Sequence, residues 1–312
     1  MNYVFWIDDP LLLNPLKDTS LALMKEVSFR GDKVYALIPK GLSVLDGVVR
    51  FRVQPVNVTD EWAVEVDSRE VCFTDEDVDF FVIRKDPPFD EDYLCQTWLL
   101  DLLEKKVCVT NNPSGLRSVN EKIWVNQFKD LTPKTLITSS LEDYMSFLAE
   151  HKFVVLKPYN GFGGQGVTFI HHEDKNAKVL FEYSSYQGER LVVVQKFLKK
   201  APEGDKRVLL LNGEILQSVL RKNEQGDYRH NFMAGGSAFA CDVTAKEKDA
   251  IDQLRPFLKS QGLHFVGLDF IGEYLIEVNV TSPTCLREMN LLYDTKLEVN
   301  VVDFFESLKK MN

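Results

Sequence analysis

An α/β fold, α+β in overall content, is predicted for this chain by three observations. Its first 110 residues alternate short apolar runs with helical spacings, the pattern of a parallel α/β unit. From Asn111 onward the character changes, and strands flank a glycine-rich loop. Near the C-terminus, residues 262–288 read as two apolar strands joined at Gly272-Glu273, and they carry three side chains with ligand oxygens. A length of 312 residues suggests about two or three domains.

Composition narrows the function classes. Hydrophobic content of 45% and charged content of 27% are ordinary for a soluble globular protein. A net charge of −10 argues against nucleic acid as a partner, because phosphate backbones select a basic face. No apolar run approaches the roughly 20 residues of a membrane span, and the N-terminus lacks signal-peptide form. Five widely spaced cysteines, without CxxC pairs, point to a reducing compartment, with the cytoplasm as the expected setting.

Taken in order, Tyr3–Ile7 is a buried strand stopped by Asp8-Asp9-Pro10. Asp18 caps a helix over 21–29, and Gly31 ends it. A strand at 34–38 follows, then two exposed hairpin strands at 48–53 and 62–66. The apolar run 80–83 leads into RKDPPFD (84–90), a helix near 92–104 and a strand at 107–110. In a parallel α/β unit, ligands gather beyond the strand ends, where Asp9 and the 84–86 loop fall. A Pro-Ser turn then precedes a helical stretch carrying Lys122. Strand 134–138, a Ser140-capped helix over 141–150 and strand 153–156 lead to Lys157-Pro158. Strands at 167–170, 191–197, 207–211 and 214–221 come next, followed by a loop over 222–239. Thr244 and Glu247 form a capping box for a helix to Ser260, which Pro256 should kink or break early. A last helix covers about 299–309.

The glycine loop Gly161-x-Gly163-Gly164-x-Gly166 matches a dinucleotide fingerprint, but Val167-Thr-Phe-Ile after it reads as a strand rather than a helix. A Walker loop fails because Val167 stands where lysine is needed. A kinase flap fails for want of HRD and DFG triplets. What remains is a flap of backbone amides over phosphates, with Lys157 entering from one side.

Register decides whether Asp269, Glu277 and Asn279 meet. A two-residue loop sets Asp269 opposite Ile276. A three-residue loop sets Asp269 opposite Glu277 and gathers Val266, Leu268, Phe270, Ile276, Val278 and Val280 on the other face. Only the odd-length loop yields one clean apolar side, and it leaves the oxygen donors converging as Mg²⁺ requires.

These motifs resemble the ATP-grasp superfamily of carboxylate–amine ligases. Within it, RKDPPFD (84–90), NEK (120–122), LKPYNGFGG (156–164), GDKRVLLLNGE (204–214), AGG (234–236) and VGLDFIGEYLIEVNVTSPTCLRE (266–288) closely resemble bacterial-type glutathione synthetase over nearly the whole chain. The resemblance implies an N-terminal α/β domain (1–118), a central ATP-grasp subdomain (119–198) and a C-terminal one (199–312), assembled as a homotetramer. It implies ATP and Mg²⁺ (or Mn²⁺) as cofactors, and γ-glutamylcysteine and glycine as substrates joined through an acyl phosphate. Lys122, Lys157, Gly161, Gly163 and Gly164 would hold ATP, with Gln195, Lys196, Phe197 and Leu198 as the adenine hinge. Arg207 and Arg221 would be catalytic, and Asp269, Glu277 and Asn279 would hold metal. Arg221, Ser282, Thr284 and Arg287 would face the peptide and its acyl phosphate. The chemistry needs positioning and charge neutralisation more than a nucleophile, so Cys285 reads as packing. Because the intermediate hydrolyses in water, a closing lid is expected, and 222–239 is the candidate.

The family usually reads RGN and GGR in the 229–237 stretch. Here His230 replaces the glycine and Ser237 the arginine, and the QKFLKK hinge lacks a proline. These departures bear on the lid and the choice of substrates, and they leave open a ligase for a related pair. A nucleotide-binding regulator on the same fold, of which synapsin looks like an example, is the other alternative; the intact Asp269/Glu277/Asn279 set argues against it.

Overall fold

In the computed structural model, which describes residues 1–103, 107–232 and 235–311, the first sheet holds β1 (Asn2–Trp6), β2 (Lys33–Leu45), β3 (Val48–Val58), β4 (Val64–Val66), β5 (Val71–Thr74), β6 (Phe80–Ile83) and β7 (Cys108–Thr110). Its order is β4-β3-β2-β1-β6-β7, with β5 also on β3. The β2-β1-β6-β7 portion is parallel, as continuous apolar runs buried on both faces require, and β3 to β5 add antiparallel strands at one side. β3 was expected to be exposed, yet its alternate residues Val49, Phe51 and Val53 are buried. The strict alternation there was the signature of one covered face. α1 (Thr19–Phe29), which Asp18 caps by accepting from the Leu21 N–H, packs on this sheet together with α8 (Leu297–Met311). α2 (Glu91–Leu100) is shorter than expected; Glu104, where its end was placed, lies outside the described residues.

α3 is only Pro113–Ser118, begun by the Asn112 side chain and by proline at its first position. Lys122 therefore lies beyond the helix, where helical spacing had placed it inside. The Asn120 side-chain Oδ1 accepts from the Lys122 and Ile123 backbone amides and holds the turn instead. The second sheet, ordered β10-β9-β11-β8, contains β8 (Thr135–Thr138), β9 (Phe153–Pro158), β10 (Thr168–His171) and β11 (Val192–Lys196). It packs against α4 (Leu141–His151) and α5 (Ala177–Ser184) around its own core of Tyr144, Leu148, Val154, Leu156, Ile170 and Phe181.

The third sheet, ordered β14-β13-β12-β15-β16, comprises β12 (Asp205–Leu211), β13 (Glu214–Lys222), β14 (Ser237–Phe239), β15 (Phe265–Ile271) and β16 (Tyr274–Asn279). α6 (Ala245–Ser260) carries the expected capping box and runs unbroken through Pro256. Burial of Ala250, Ile251, Leu254 and Leu258 along its inner face holds it together where proline removes one backbone donor. α7 (Leu286–Tyr293) follows β16 after a short connection. The first and third sheets share their apolar cores, with Phe51 and Phe81 in one cluster beside Leu210 and Val266. At their junction, the Asn111 side chain donates to the Phe265 and Val280 carbonyls and accepts from the His264 and Phe265 amides.

Candidate active site

Strand pairing brings the charged residues of the third sheet into one row. Arg207 on β12 lies opposite Asp269 on β15, which lies opposite Glu277 on β16, while Arg221 on β13 lies opposite Asp205. The Arg207 guanidinium grips Asp269 with two bonds, Nε to Oδ1 at 2.7 Å and Nη2 to Oδ2 at 2.6 Å. Arg221 holds Asp205 in the same forked way, at 2.7 and 2.9 Å, and reaches Asp269 Oδ2 at 3.0 Å. Burial alone would raise the Asp269 carboxyl, but the two guanidiniums outweigh it and hold the group well below the usual carboxylate range. Asp205 is pushed up by burial, with Arg221 opposing. The row is thus two buried forks sharing one carboxylate.

The second sheet supplies the facing wall. Lys157, at the end of β9, is buried with its Nζ 3.9 Å from Glu277 Oε1. Lys122 Nζ stands 3.5 Å from the same oxygen and donates to the Gly161 carbonyl. Burial lowers Lys157 to about 8, against the pull of Glu277. The glycine loop arches from β9 to β10, with Gly163, Gly164 and Gly166 at positive φ. Gly164, at φ +75°, adopts a conformation that favours glycine, and a Cβ there would come 2.6 Å from the Asn231 side-chain Nδ2 where the loop meets the 222–232 segment. The stretch 195–198 leaves β11 beside it, and its Lys196 and Phe197 amides donate to the Lys134 and Phe153 carbonyls.

The hairpin follows neither of the two expected loop geometries. Asp269 does lie opposite Glu277, yet Phe270 pairs with Leu275 and Ile271 with Tyr274, across the two-residue turn Gly272-Glu273. A bulge at Ile276 reconciles the two. Leu275, not Ile276, is therefore the core residue on that face and is fully buried, while Ile276 lines the cavity beside Ile271. Counting loop length alone treated an even loop and the correct register as exclusive, and one extra strand residue removes the conflict.

These elements enclose a cavity of about 390 Å³. Lys122, Lys157, Gly161, Gly163, Gly164 and residues 195–198 line it from one side, and Arg207, Arg221, Asp269, Glu277 and Asn279 from the other. Ser282 and Thr284 also line it, and Thr284 Oγ1 accepts from Arg207 Nη1 at 3.1 Å. Arg287 is the exception. Its guanidinium lies over the Trp62 ring, 3.5 Å from the centroid, because the first turn of α7 aims it at the β3–β4 loop. Its neighbour Glu288 faces the cavity instead, pushed up by burial. Sequence reasoning placed the 84–86 loop at the ligand end of the sheet without singling out Asp86, and it missed Asp205 and Glu121. Asp205 stands two residues before Arg207 on one strand, a spacing that puts both on one face. The buried Glu121 accepts from Thr281 Oγ1 at 3.0 Å and is raised by burial against the pull of Lys122. Asp86, from the 84–86 loop, is likewise raised by burial.

The donor set suits a hard divalent cation. Among the described residues no group of three or more His, Cys, Asp or Glu is placed to hold a metal ion. Two carboxylates and one amide on paired strands leave most of a coordination shell to phosphate and water, as Mg²⁺ prefers. Asn279 Nδ2 now donates to Asp269 Oδ2 at 3.3 Å, and turning the amide over would present its oxygen to a cation.

The three-sheet frame, a glycine flap and two charged walls facing across one cavity define an ATP-grasp protein, and the chain is an ATP-dependent ligase of that class. Solved structures agree on the fold. A D-cycloserine synthetase superposes with TM-score 0.67 at 13% identity, each chain covered to 99%. D-alanyl-alanine synthetase A from Vibrio cholerae superposes with TM-score 0.61 at 13% identity, covering 99% of this chain and 98% of that one. The profile for the prokaryotic glutathione synthetase N-terminal domain matches residues 1–117, and that for its ATP-grasp domain matches 121–294. The glutathione synthetase of Synechococcus elongatus is 36% identical over 99% of both chains. That of Pseudomonas aeruginosa is 35% identical over 95% of this chain and 94% of its own. The chain belongs to the prokaryotic glutathione synthetase family.

Proposed function

We propose that the cavity joins γ-glutamylcysteine to glycine at the expense of ATP. The observation that carries the reading is the convergence, in one cavity under a glycine flap, of four buried cations with the Asp269/Glu277/Asn279 set. The cysteinyl carboxylate attacks the γ-phosphorus, the bond to the bridging oxygen breaks, and ADP leaves. The glycine amine then attacks the acyl carbon and loses a proton, and inorganic phosphate departs. Lys122 and Lys157 neutralise the phosphates, and the glycine flap covers them with backbone amides. Residues 195–198 receive the adenine. Arg207 and Arg221, held rigid by Asp269 and Asp205, stabilise the charge on the transferred phosphoryl group and the acyl phosphate. Ser282 and Thr284 orient the peptide, and residues 222–232 and 235–239 exclude water from the intermediate, the expected lid's residues 233 and 234 lying outside the described residues. Asp269, Glu277 and Asn279 would hold Mg²⁺, which when bound supplies further neutralisation of the phosphate oxygens.

The same reading makes the enzyme a cytoplasmic homotetramer divided at about residues 118 and 198. Phosphate release followed by a coupled ADP assay should require γ-glutamylcysteine, glycine and Mg²⁺ together. Turnover that persists without glycine, or that is absent with all components present, would sink the reading. Sedimentation of the purified chain tests the assembly.

A further inference from the structure

The pocket beside residues 195–198 is finished by a segment from another sheet. Three rings meet there: Phe169 on β10, Phe197 after β11, and Tyr228 from the segment between β13 and β14. Tyr228 lies 5.1 Å from both Phe169 and Phe197, centroid to centroid, and all three line the cavity. Two residues on, His230 is buried among backbone groups. Its Nδ1 accepts from the Asn223 N–H at 3.0 Å, which leaves the ring proton on Nε2. Nε2 donates to the Ala201 carbonyl at 2.5 Å, in the short turn that follows residues 195–198. The imidazole therefore ties the base of the 223–232 segment to the chain that leaves the second sheet. A glycine at position 230 would make neither bond. Gly236 closes the segment from the other side, because a Cβ there would come 1.9 Å from the His230 carbonyl oxygen.

We propose that Tyr228 is a nucleobase-binding residue and that His230 is the positioning residue that sets it against Phe197 and Phe169. The proposal rests on the reading of this cavity as the ATP site, and it adds the two residues of the 223–232 segment that complete the base pocket. Aromatic rings recognise the π-face of a purine, and stacking of this kind is lost on truncation to alanine. The third sheet also carries Arg207 and Asp269, so base binding and the placement of the phosphoryl-transfer groups are mechanically joined.

The test uses the full-length enzyme with ADP titrated by calorimetry, together with steady-state kinetics at varied ATP. Tyr228→Ala should raise the ADP Kd and the ATP KM about tenfold, and Tyr228→Phe should stay within about twofold of wild type. His230→Gly should raise the ATP KM several-fold while the KM for γ-glutamylcysteine changes little. Two amides separate a positioning role from bulk packing. His230→Gln keeps a donor near Nε2 and should restore ATP affinity, whereas His230→Asn keeps only the acceptor near Nδ1 and should not. Equal behaviour of the two amides, or an unchanged ATP KM in Tyr228→Ala, overturns the inference while wild-type turnover stands. Failure of the wild type to bind ADP overturns the underlying reading of the cavity instead.

Discussion

Asp269 and Glu277 face each other across one strand pair, but their energetics differ. Asp269 is buried between two guanidiniums, so Asp269→Asn leaves buried cations short of a partner, and a loss of roughly 3 kcal/mol or more is expected. Glu277 is partly exposed, with its lysines at 3.5 and 3.9 Å. Glu277→Gln should therefore abolish turnover with little change in the urea midpoint; a large midpoint shift would show that Glu277 is a structural partner. Lys157 adds a pH signature. Its ammonium, lowered to about 8 by burial, is charged below that pH and neutral above it. In the proposed role of Lys157 at the phosphates only the charged form binds, so nucleotide affinity should fall as pH rises from 7, by about tenfold at pH 9. The unfolded chain keeps its proton to higher pH, so this group makes folding more favourable as pH rises from about 8 toward its ordinary value. Calorimetric titration of ADP against pH checks the first effect. Lys157→Arg should abolish the dependence, and an unchanged slope in that variant would assign it elsewhere.

At the scale of the element, the β15–β16 hairpin separates two neighbouring residues by function. Leu275 is fully buried in the shared core, so Leu275→Ala should cost about 2–5 kcal/mol of stability. Ile276 is turned by the bulge into the cavity wall, so Ile276→Ala should leave stability nearly unchanged and weaken nucleotide binding several-fold. Thermal melts of both variants, with ADP titrations, distinguish this from the simple alternation that would place Ile276 in the core. The alternation of Val266, Leu268 and Phe270 was legible because a strand has period two. The bulge was not legible, since nothing local to Leu275-Ile276 marks one as the extra residue.

Across the whole molecule, the first and third sheets are joined while the second stands on its own core. Asn111 makes four hydrogen bonds across the junction. At about 1 kcal/mol each, Asn111→Ala should destabilise the protein by roughly 2–4 kcal/mol in urea. Hydrogen-exchange protection in β8–β11 should be retained, because those strands bury their apolar faces against α4 and α5. Loss of protection there as well would show one cooperative unit rather than two. The cavity thus lies between a joined pair of sheets and a third that is held by its own core.

Local chemistry was enough to determine the elements that depend on it: the Asp18, Ser140 and Thr244 caps, the apolar runs of β1 and β6, and the glycine loop with Lys157 before it. Those signals lie within a few residues of one another, where capping bonds, strand period and backbone freedom act. Tertiary structure alone decided the rest. Pairing between β12, β13 and β15 made Asp205 and Asp269 the holders of two arginines. The direction of α7 sent Arg287 to Trp62 and Glu288 to the cavity. Packing of two sheets set Tyr228 beside Phe169 and Phe197, and the bulge gave Ile276 to the site. Each of these outcomes depends on which distant strand or helix lies alongside, and no local period or turn residue encodes that.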